Sequence, residues 1–553
     1  MHKEINIESI QAIEKQIDKG EGDIIKLKRI RNSLLNISTR LPSEILGRIL
    51  WTVALERDFS PYPRSEGLKK GSYRFLLVCD HWFRVASKTP ELWSFWGNRL
   101  EEWNKWYRNA GAAPADLVLD GYGTCLLEPP LWDELRDRAT KNLIRKIHLH
   151  HRSNLLGSIL SALTPDGGAV QQKCIQSIIL DSDWGSGIIP EELSSFFAQS
   201  SLPQLQYLEI AGTLTTTSLH HIQTTCLTTL SLRHPEKLLP VHTPQLLSIL
   251  ALNPYIRHLT LHYVSPPDSL GGSVVQVPLH HLKTISLRHK FHCVFGLLQQ
   301  LELPEVLDCV DLTFCHSMVE DVYKFLAPYI KDLFQHDIRF RDWLEVGASF
   351  FGAEIYVHVN LPPKMTSGSE PPLLSASFLV LMTNPPPASV MNQLCLDLMA
   401  LIPQEHVASM DMMYTPEVQE ELFLAMPNIE HLYLCDVTLS DGFLQPNPDG
   451  PHANMKLLPS LQSLCLEDVT VGDEDEDGDG DEDEDGDEGG GEGDGGGKNT
   501  NWEPLKAYLA HQTSEGQNIS LEVISDDLTL QVVKEIKDLV GKFTYSSCSR
   551  QRD

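Results

Sequence analysis

The chain is poor in the features that would assign it a chemistry. Its 11 cysteines form no CxxC pair and keep no regular spacing, so neither a zinc site nor a disulfide framework is expected, and the thiols read as reduced and mostly buried. The most apolar run, Leu373 to Met382, is too short to cross a bilayer core of about 30 Å. The opening Met1-His2-Lys3-Glu4-Ile5-Asn6 has none of the apolar stretch of a secretory signal. A soluble protein of the cytoplasm, the nucleus or both is expected, with no membrane partner, and the triplets at Asn36 and Asn518 then carry no glycan.

A basic stripe is missing too. The formal charge is -30, but fifteen acidic residues lie between Asp473 and Asp494 with no basic residue among them; without these the charge is -15. Neither the tract nor the mildly acidic remainder suits phosphate neutralisation, so nucleic acid is not an expected partner. The catalytic signatures are absent as well: no Gly-x-Ser-x-Gly elbow, no His-Glu-x-x-His helix and no paired Cys and His in a catalytic setting. No catalytic residue, metal site or cofactor is expected, and the chain reads as non-enzymatic.

Three features invite a chemical reading and fail it. Asp473, Asp475, Asp477, Gly478 and Glu484, then Asp481, Asp483, Asp485, Gly486 and Glu492, match the calcium-loop pattern, but an EF-hand needs a helix on each side and an apolar residue where Gly480 and Glu488 stand, so loose counterion binding is the expectation. The glycines before Lys498 resemble a phosphate loop, yet Glu492 replaces its first glycine and Asn499 its Ser or Thr. Histidines pair at His148, His150 and His151, at His220 and His221, at His280 and His281, and at His289 and His292. No carboxylate or thiol recurs beside them, so they read as exposed strand-end residues.

The chain's positive signal is periodic apolar sequence. Hydrophobic residues make up 42% and charged residues 22% of 553 residues, a globular balance in a chain long enough for at least two units. Ile10, Ile13, Ile17, Ile24, Leu27 and Leu34 share a helical stripe that reads as a cap on the next domain. Leu41-Pro42-Ser43-Glu44-Ile45-Leu46 then starts a helix, with Pro42 in its first turn and Leu46, Ile49, Leu50 and Val53 on one apolar face. A polar loop covers Asp58 to Ser72, helical spacing resumes from Phe75 to Ala86, and Thr89-Pro90-Glu91-Leu92-Trp93 closes the segment.

This order resembles the F-box, a small helical module that docks on the Skp-family linker subunit of cullin-based (SCF) ubiquitin ligases. The matching pieces are Leu-Pro-x-Glu-Ile-Leu from Leu41, Phe-x-x-Val-Cys-x-x-Trp-x-x-Val-Ala from Phe75 to Ala86, and Thr-Pro-x-Leu-Trp ending at Trp93. The flanks, Arg31 to Leu35 and Trp103 to Tyr107, look like the surroundings of F-boxes in fungal families; the loop from Asp58 to Ser72 is longer than in a compact F-box. The resemblance implies a linker-binding set of Leu41, Pro42, Ile45, Leu46, Ile49, Leu50, Val78, Cys79, Trp82, Leu92 and Trp93. The sequence does not divide these between the module's own core and the linker.

From about Ala115 the periodicity becomes that of short strands. Ile144 to Leu149, Leu205 to Ile210, Leu227 to Leu232, Ile256 to Leu261, Leu282 to Leu287, Ile429 to Leu434 and Leu461 to Leu466 share an L-x-x-L-x-L shape, which matches leucine-rich repeats of parallel strands. No unit carries a clear asparagine-ladder residue, and the pattern is weakest from Phe340 to Met413. Helices are expected over Trp502 to Leu509 and Leu528 to Val540, with a strand over Ile519 to Ile524. The fold expected is α/β: an all-helical F-box followed by a leucine-rich-repeat-like solenoid. Its divisions are 1–38, an N-terminal helical segment; 39–110, F-box and flanking helices; 115–471, repeats; 472–498, a disordered acidic insert; 499–545, the end of the repeats; and 546–553, a tail. The resemblance implies an SCF adaptor that joins the linker, and through it a cullin, to a protein substrate held by the repeats; a repeat-type scaffold outside any ligase is the alternative.

Overall fold

The computed structural model describes residues 27, 28, 30, 31, 41–58, 78–96, 110–120, 129–141, 143–150, 153–164, 170, 171, 173–181, 191–212, 214, 219–235, 241–266, 276–304, 307–336, 344–351, 354–361, 374–382, 387–402, 404–413, 423, 426–435, 437–439, 458–471, 502–514, 516–525 and 530–546. Most of the N-terminal stripe, the segment 59–77, the Trp103 to Tyr107 flank and the acidic tract lie outside them. The protein is mixed α/β with mostly parallel strand pairing, in two compact units divided near residues 273–282.

In the first unit, helices α1 (Ser43–Asp58) and α2 (Asp80–Ser87) and a 3-10 turn (Pro90–Trp93) lead into seven strands, β1 (Phe95–Trp96), β2 (Ala115–Asp120), β3 (Ile144–His150), β4 (Ser177–Asp181), β5 (Tyr207–Ala211), β6 (Thr229–Arg233) and β7 (His258–His262). Each is parallel to the one before it. Their register aligns two apolar rows, Leu117–Ile147–Ile178–Leu208–Leu230–Leu259 and Leu119–Leu149–Leu180–Ile210–Leu232–Leu261. Strand side chains alternate faces, so the intervening residues form a second face, most of it half-buried or exposed.

One backbone device recurs between neighbours. The carbonyl of Gln176 accepts the N–H groups of Gln206 and Tyr207, that of Gln206 accepts those of Thr228 and Thr229, and that of Thr228 accepts those of Arg257 and His258. The residue before each strand is therefore bonded to the next repeat. This accompanies a two-residue shift from expectation: except in Ile144 to Leu149, whose first residue opens β3, the first apolar residue of each L-x-x-L-x-L unit precedes its strand. Leu205, Leu227 and Ile256, each 0% exposed, sit in the segments that lead into the strands rather than in ladder positions.

Among its described residues the second unit has ten strands of five residues or more: β8 (Thr284–His289), β9 (Cys309–Ser317), β10 (Leu344–Phe351), β11 (Glu354–Leu361), β12 (Leu374–Met382), β13 (Val407–Met413), β14 (His431–Cys435), β15 (Ser463–Glu467), β16 (Ser520–Ile524) and β17 (Lys542–Ser546). The shared-carbonyl device returns, Lys283 serving Asp308 and Cys309, and Glu430 serving Gln462 and Ser463. The expectation of parallel stacking throughout fails within Phe340 to Met413. β11 is antiparallel to both β10 and β12, and the spatial order runs β9, β12, β11, β10, β13. Only Gly352 and Ala353 separate β10 from β11, and a two-residue link can return a strand only antiparallel. The facing survives this reversal: Val310, Ala376, Val359, Val346, Met410, Leu432, Leu464 and Leu521 form one buried row straight through it.

The helices bury one face each, as Leu246, Ile249 and Leu250 do on α3 (Gln245–Leu252). At its end Asn253, 1% exposed, ties two repeats together. Its Oδ1 accepts the Leu227 N–H at 2.9 Å, and its Nδ2 donates to the carbonyls of Thr224 and Ile249 at 2.9 and 2.8 Å. This asparagine stands three residues ahead of the Ile256 to Leu261 unit and bonds back to the repeat before it. Past the acidic tract, helices Glu503–Ser514 and Leu530–Lys537 flank β16, close to expectation. Asn253→Ala leaves the buried Leu227 N–H and Thr224 carbonyl without this partner, and urea denaturation should show about 2–3 kcal/mol lost.

Candidate functional site

The expected linker-binding residues divide into two groups. Leu46, Leu50, Leu92 and Trp93, with Val85, Ala86 and Ala110, form one hydrophobic core against which Trp82 packs. Cys79 is also buried, and Val78 is half-buried. By contrast Leu41, Ile45 and Ile49 are 37%, 45% and 41% exposed, and Pro42 is exposed beside them. A spacing of four places Ile45 and Ile49 in one line along α1, and Leu41 lies two residues before the helix starts. The expected single apolar face of Leu46, Ile49, Leu50 and Val53 is corrected at Ile49, which is turned to solvent while Leu46 and Leu50 face the core.

Local chemistry fixes this module. The Pro42 carbonyl accepts the Leu46 N–H at 3.0 Å, so Pro42 caps α1 from just outside its first turn rather than within it. The second helix runs from Asp80, and Phe75 to Leu77 of the expected helical spacing lie outside the described residues. Cys79 is extended, with φ -159°, and its Sγ accepts the Trp82 N–H at 3.4 Å, so a thiol fills the N-cap position of this helix. Trp93 buries its ring and donates Nε1–H to the Ala86 carbonyl at 2.8 Å, a bond of about 1 kcal/mol on top of its apolar burial. Thr89 donates to the Val85 carbonyl at 2.9 Å, and a Cβ at Gly47 would come within 3.0 Å of its Oγ1. Glycine at this position lets α1 approach the turn.

The module is continuous with the sheet. Ser94 comes directly after Trp93, and its carbonyl accepts the Asp116 N–H at 2.8 Å. Arg138, 1% exposed, donates to the carbonyls of Gly111 and Ala113, both at 3.2 Å, and so latches the turn before β2. Asp116 receives both Nε and an Nη of Arg145 at 2.8 Å, a bidentate, largely buried pair whose hydrogen bond raises the arginine's pKa. Sequence alone does not point to Arg138 and Arg145, because nothing in their spacing signals which carbonyl or carboxylate they will meet.

The chemical features rejected from sequence have structural placements of their own. Among the described residues no three His, Cys, Asp or Glu side chains are grouped to hold a metal ion, and no helix is long and apolar enough to cross a membrane. His220 and His221 meet edge to face, and His281 stacks on Tyr255, both pairs at 5.1 Å. His289 corrects the expectation of an exposed strand end: it is 4% exposed because its register continues the apolar side of β8, and its Nδ1 accepts the Lys290 N–H.

On the polar face of the second unit, Asp411, Tyr433, Cys465 and Glu522 share a row. Tyr433 donates its hydroxyl to Glu467. Burial, reinforced by Glu522, Glu467, Cys435 and Asp411, pushes the Cys465 thiol up to about 12. In the folded protein at pH 8, N-ethylmaleimide should label the exposed Cys226 and leave Cys465 unmodified, with Cys465 labelled only in denaturant; peptide mass spectrometry reads both. Compared with known proteins, the chain matches no family model and no curated sequence.

Proposed function

We propose that this chain is a non-catalytic substrate-recognition adaptor of an SCF-type ubiquitin ligase, with the segment Leu41 to Trp93 acting as an F-box and the strand repeats holding a protein substrate. The observation that carries the reading is the exposed pair Ile45 and Ile49, with exposed Leu41 just ahead of them, on a helix whose Leu46 and Leu50 are buried in the module's own core. Large apolar side chains in a row are costly to leave in water, and such a row suits a partner groove. The F-box resemblance names that partner as the Skp-family linker, which in turn joins a cullin.

The repeats support the second half of the reading. Their apolar rows are spent on neighbouring strands, while the polar rows remain available for recognition. Ubiquitin transfer then depends on a separate enzyme being held near the substrate, an effect of local concentration rather than of a side chain in this chain. The alternative, a repeat scaffold outside any ligase, would use the same polar face and leave the α1 row without a linker.

Co-purification with a recombinant Skp-family linker tests the reading. The wild-type chain should capture it, and Ile45→Asp with Ile49→Asp should reduce capture at least about tenfold while changing stability by less than about 1 kcal/mol, as surface substitutions do. Leu46→Ala should instead destabilise the fold by about 2–5 kcal/mol. Failure of the wild type to bring the linker down, or equal capture by the double variant, removes the adaptor reading and leaves the scaffold.

A further inference from the structure

The last strand of the second unit is built like an interior strand but stands at an edge. β17 is parallel to β16, with Phe543 beside Leu521 and Tyr545 beside Val523, so both apolar rows of the core side run on into it. Leu521 and Val523 are buried, whereas Phe543 is half-buried and Tyr545 is 37% exposed. Among the described residues β16 is the only strand in register with β17. The sequence from Ser547 to Asp553 has no leucine, isoleucine, valine or aromatic residue, and so continues neither row.

The backbone of β17 points the same way. Gly541 donates its N–H to the Ile519 carbonyl at 3.2 Å, which turns its polar groups toward β16. Successive residues of a parallel ladder alternate sides, so Lys542 and Thr544 aim their N–H and C=O groups at the outer edge. Such an edge pairs with another strand unless charge, proline or a bulge prevents it. From Lys542 to Ser546 there is no proline and one charge, that of Lys542, and the ladder to β16 has no register shift.

The strand is complementary to a second copy of itself. A two-fold axis through Thr544 lays the copy antiparallel with all five residues overlapping, and the two Thr544 residues, whose polar groups face outward, exchange N–H···O=C bonds across the axis. Phe543 of each copy then lies opposite Tyr545 of the other on the core side, and Lys542 lies opposite Ser546 on the polar side. Aromatic pairs and threonine pairs stabilise antiparallel strands, whereas like charges directly opposite destabilise them. This register supplies both favourable pairs and keeps the lysines apart. We propose that two copies of this chain associate through β17, paired antiparallel about Thr544, so that their sheets join and each covers the other's open apolar rows. The proposal is independent of linker capture through α1, and neither result bears on the other.

Light scattering of the full-length protein during size-exclusion chromatography tests this across a dilution series. The wild type should have twice the mass of one chain and fall toward one chain on dilution. Thr544 is exposed, so Thr544→Lys should melt with the wild type, yet it sets two lysines against each other at the axis and should raise the dissociation constant at least about tenfold. Thr544→Ser adds no charge and should keep the dimer. Amide exchange places the contact: residues 542–546 should exchange more slowly as wild-type concentration rises, and should not do so in Thr544→Lys. The mass of one chain at every concentration, a dimer that Thr544→Lys leaves as tight as before, equal loss in both variants, or growth beyond two chains, which a closed two-fold pair forbids, overturns the proposal.

Discussion

The structure depends on a backbone carbonyl that serves two donors in the next repeat. Gln176, Gln206, Thr228, Lys283 and Glu430 all stand just before or at the entry to a strand and accept two successive N–H groups from the neighbouring unit. No repeat can satisfy these groups alone, and none can bury its leucines alone, since Leu208, Leu230 and Leu259 sit side by side on adjacent strands. Hydrogen bonding and apolar burial therefore impose the same condition, that each strand needs its neighbours in register. The two-sided strand is the consequence. One side is committed to the core, and the other is left to polar residues whose identities vary from strand to strand.

The same division between committed and uncommitted surface governs the N-terminal module. Trp93, Leu46 and Leu50 hold α1 against the second helix and the 3-10 turn, and Arg138 and the Asp116–Arg145 pair hold the next turn against the sheet. With the core filled from one side of α1, Leu41, Ile45 and Ile49 are left facing outward. In the adaptor reading this rigid outward row and the polar strand face are two contact surfaces on a frame that does no chemistry itself. Such a chain works by geometry, bringing a substrate within reach of an enzyme bound elsewhere.

Much of this fold is legible in the sequence, and the parts that are not have identifiable causes. The alternation Leu-x-Leu gives the strands directly, because strand period and apolar spacing coincide in Leu208 and Ile210 or Leu464 and Leu466. The leading leucine is misplaced because spacing alone cannot separate a residue at the start of a strand from one buried in the segment that leads into it. β11 escapes notice because Glu354 to Leu361 has the composition of any buried strand, and only the two-residue link through Gly352 and Ala353 betrays its direction. Ile49 is assigned inward because helical spacing defines a stripe and not its edge; Ile45 and Ile49 on one side and Leu46 and Leu50 on the other are distinguished only by where the second helix packs. Asn253 and Arg138 look like ordinary polar residues until the backbone they meet is in place.

The central claim is that the line of apolar residues on α1 is a docking surface distinct from the core behind it. Amide hydrogen exchange of the full-length protein with and without a recombinant Skp-family linker measures this most directly. The account predicts added protection in peptides covering 41–58 and 78–93, with the strand peptides at 177–181, 207–211 and 229–233 unchanged. Protection absent from 41–58, or confined to the strands, would contradict it.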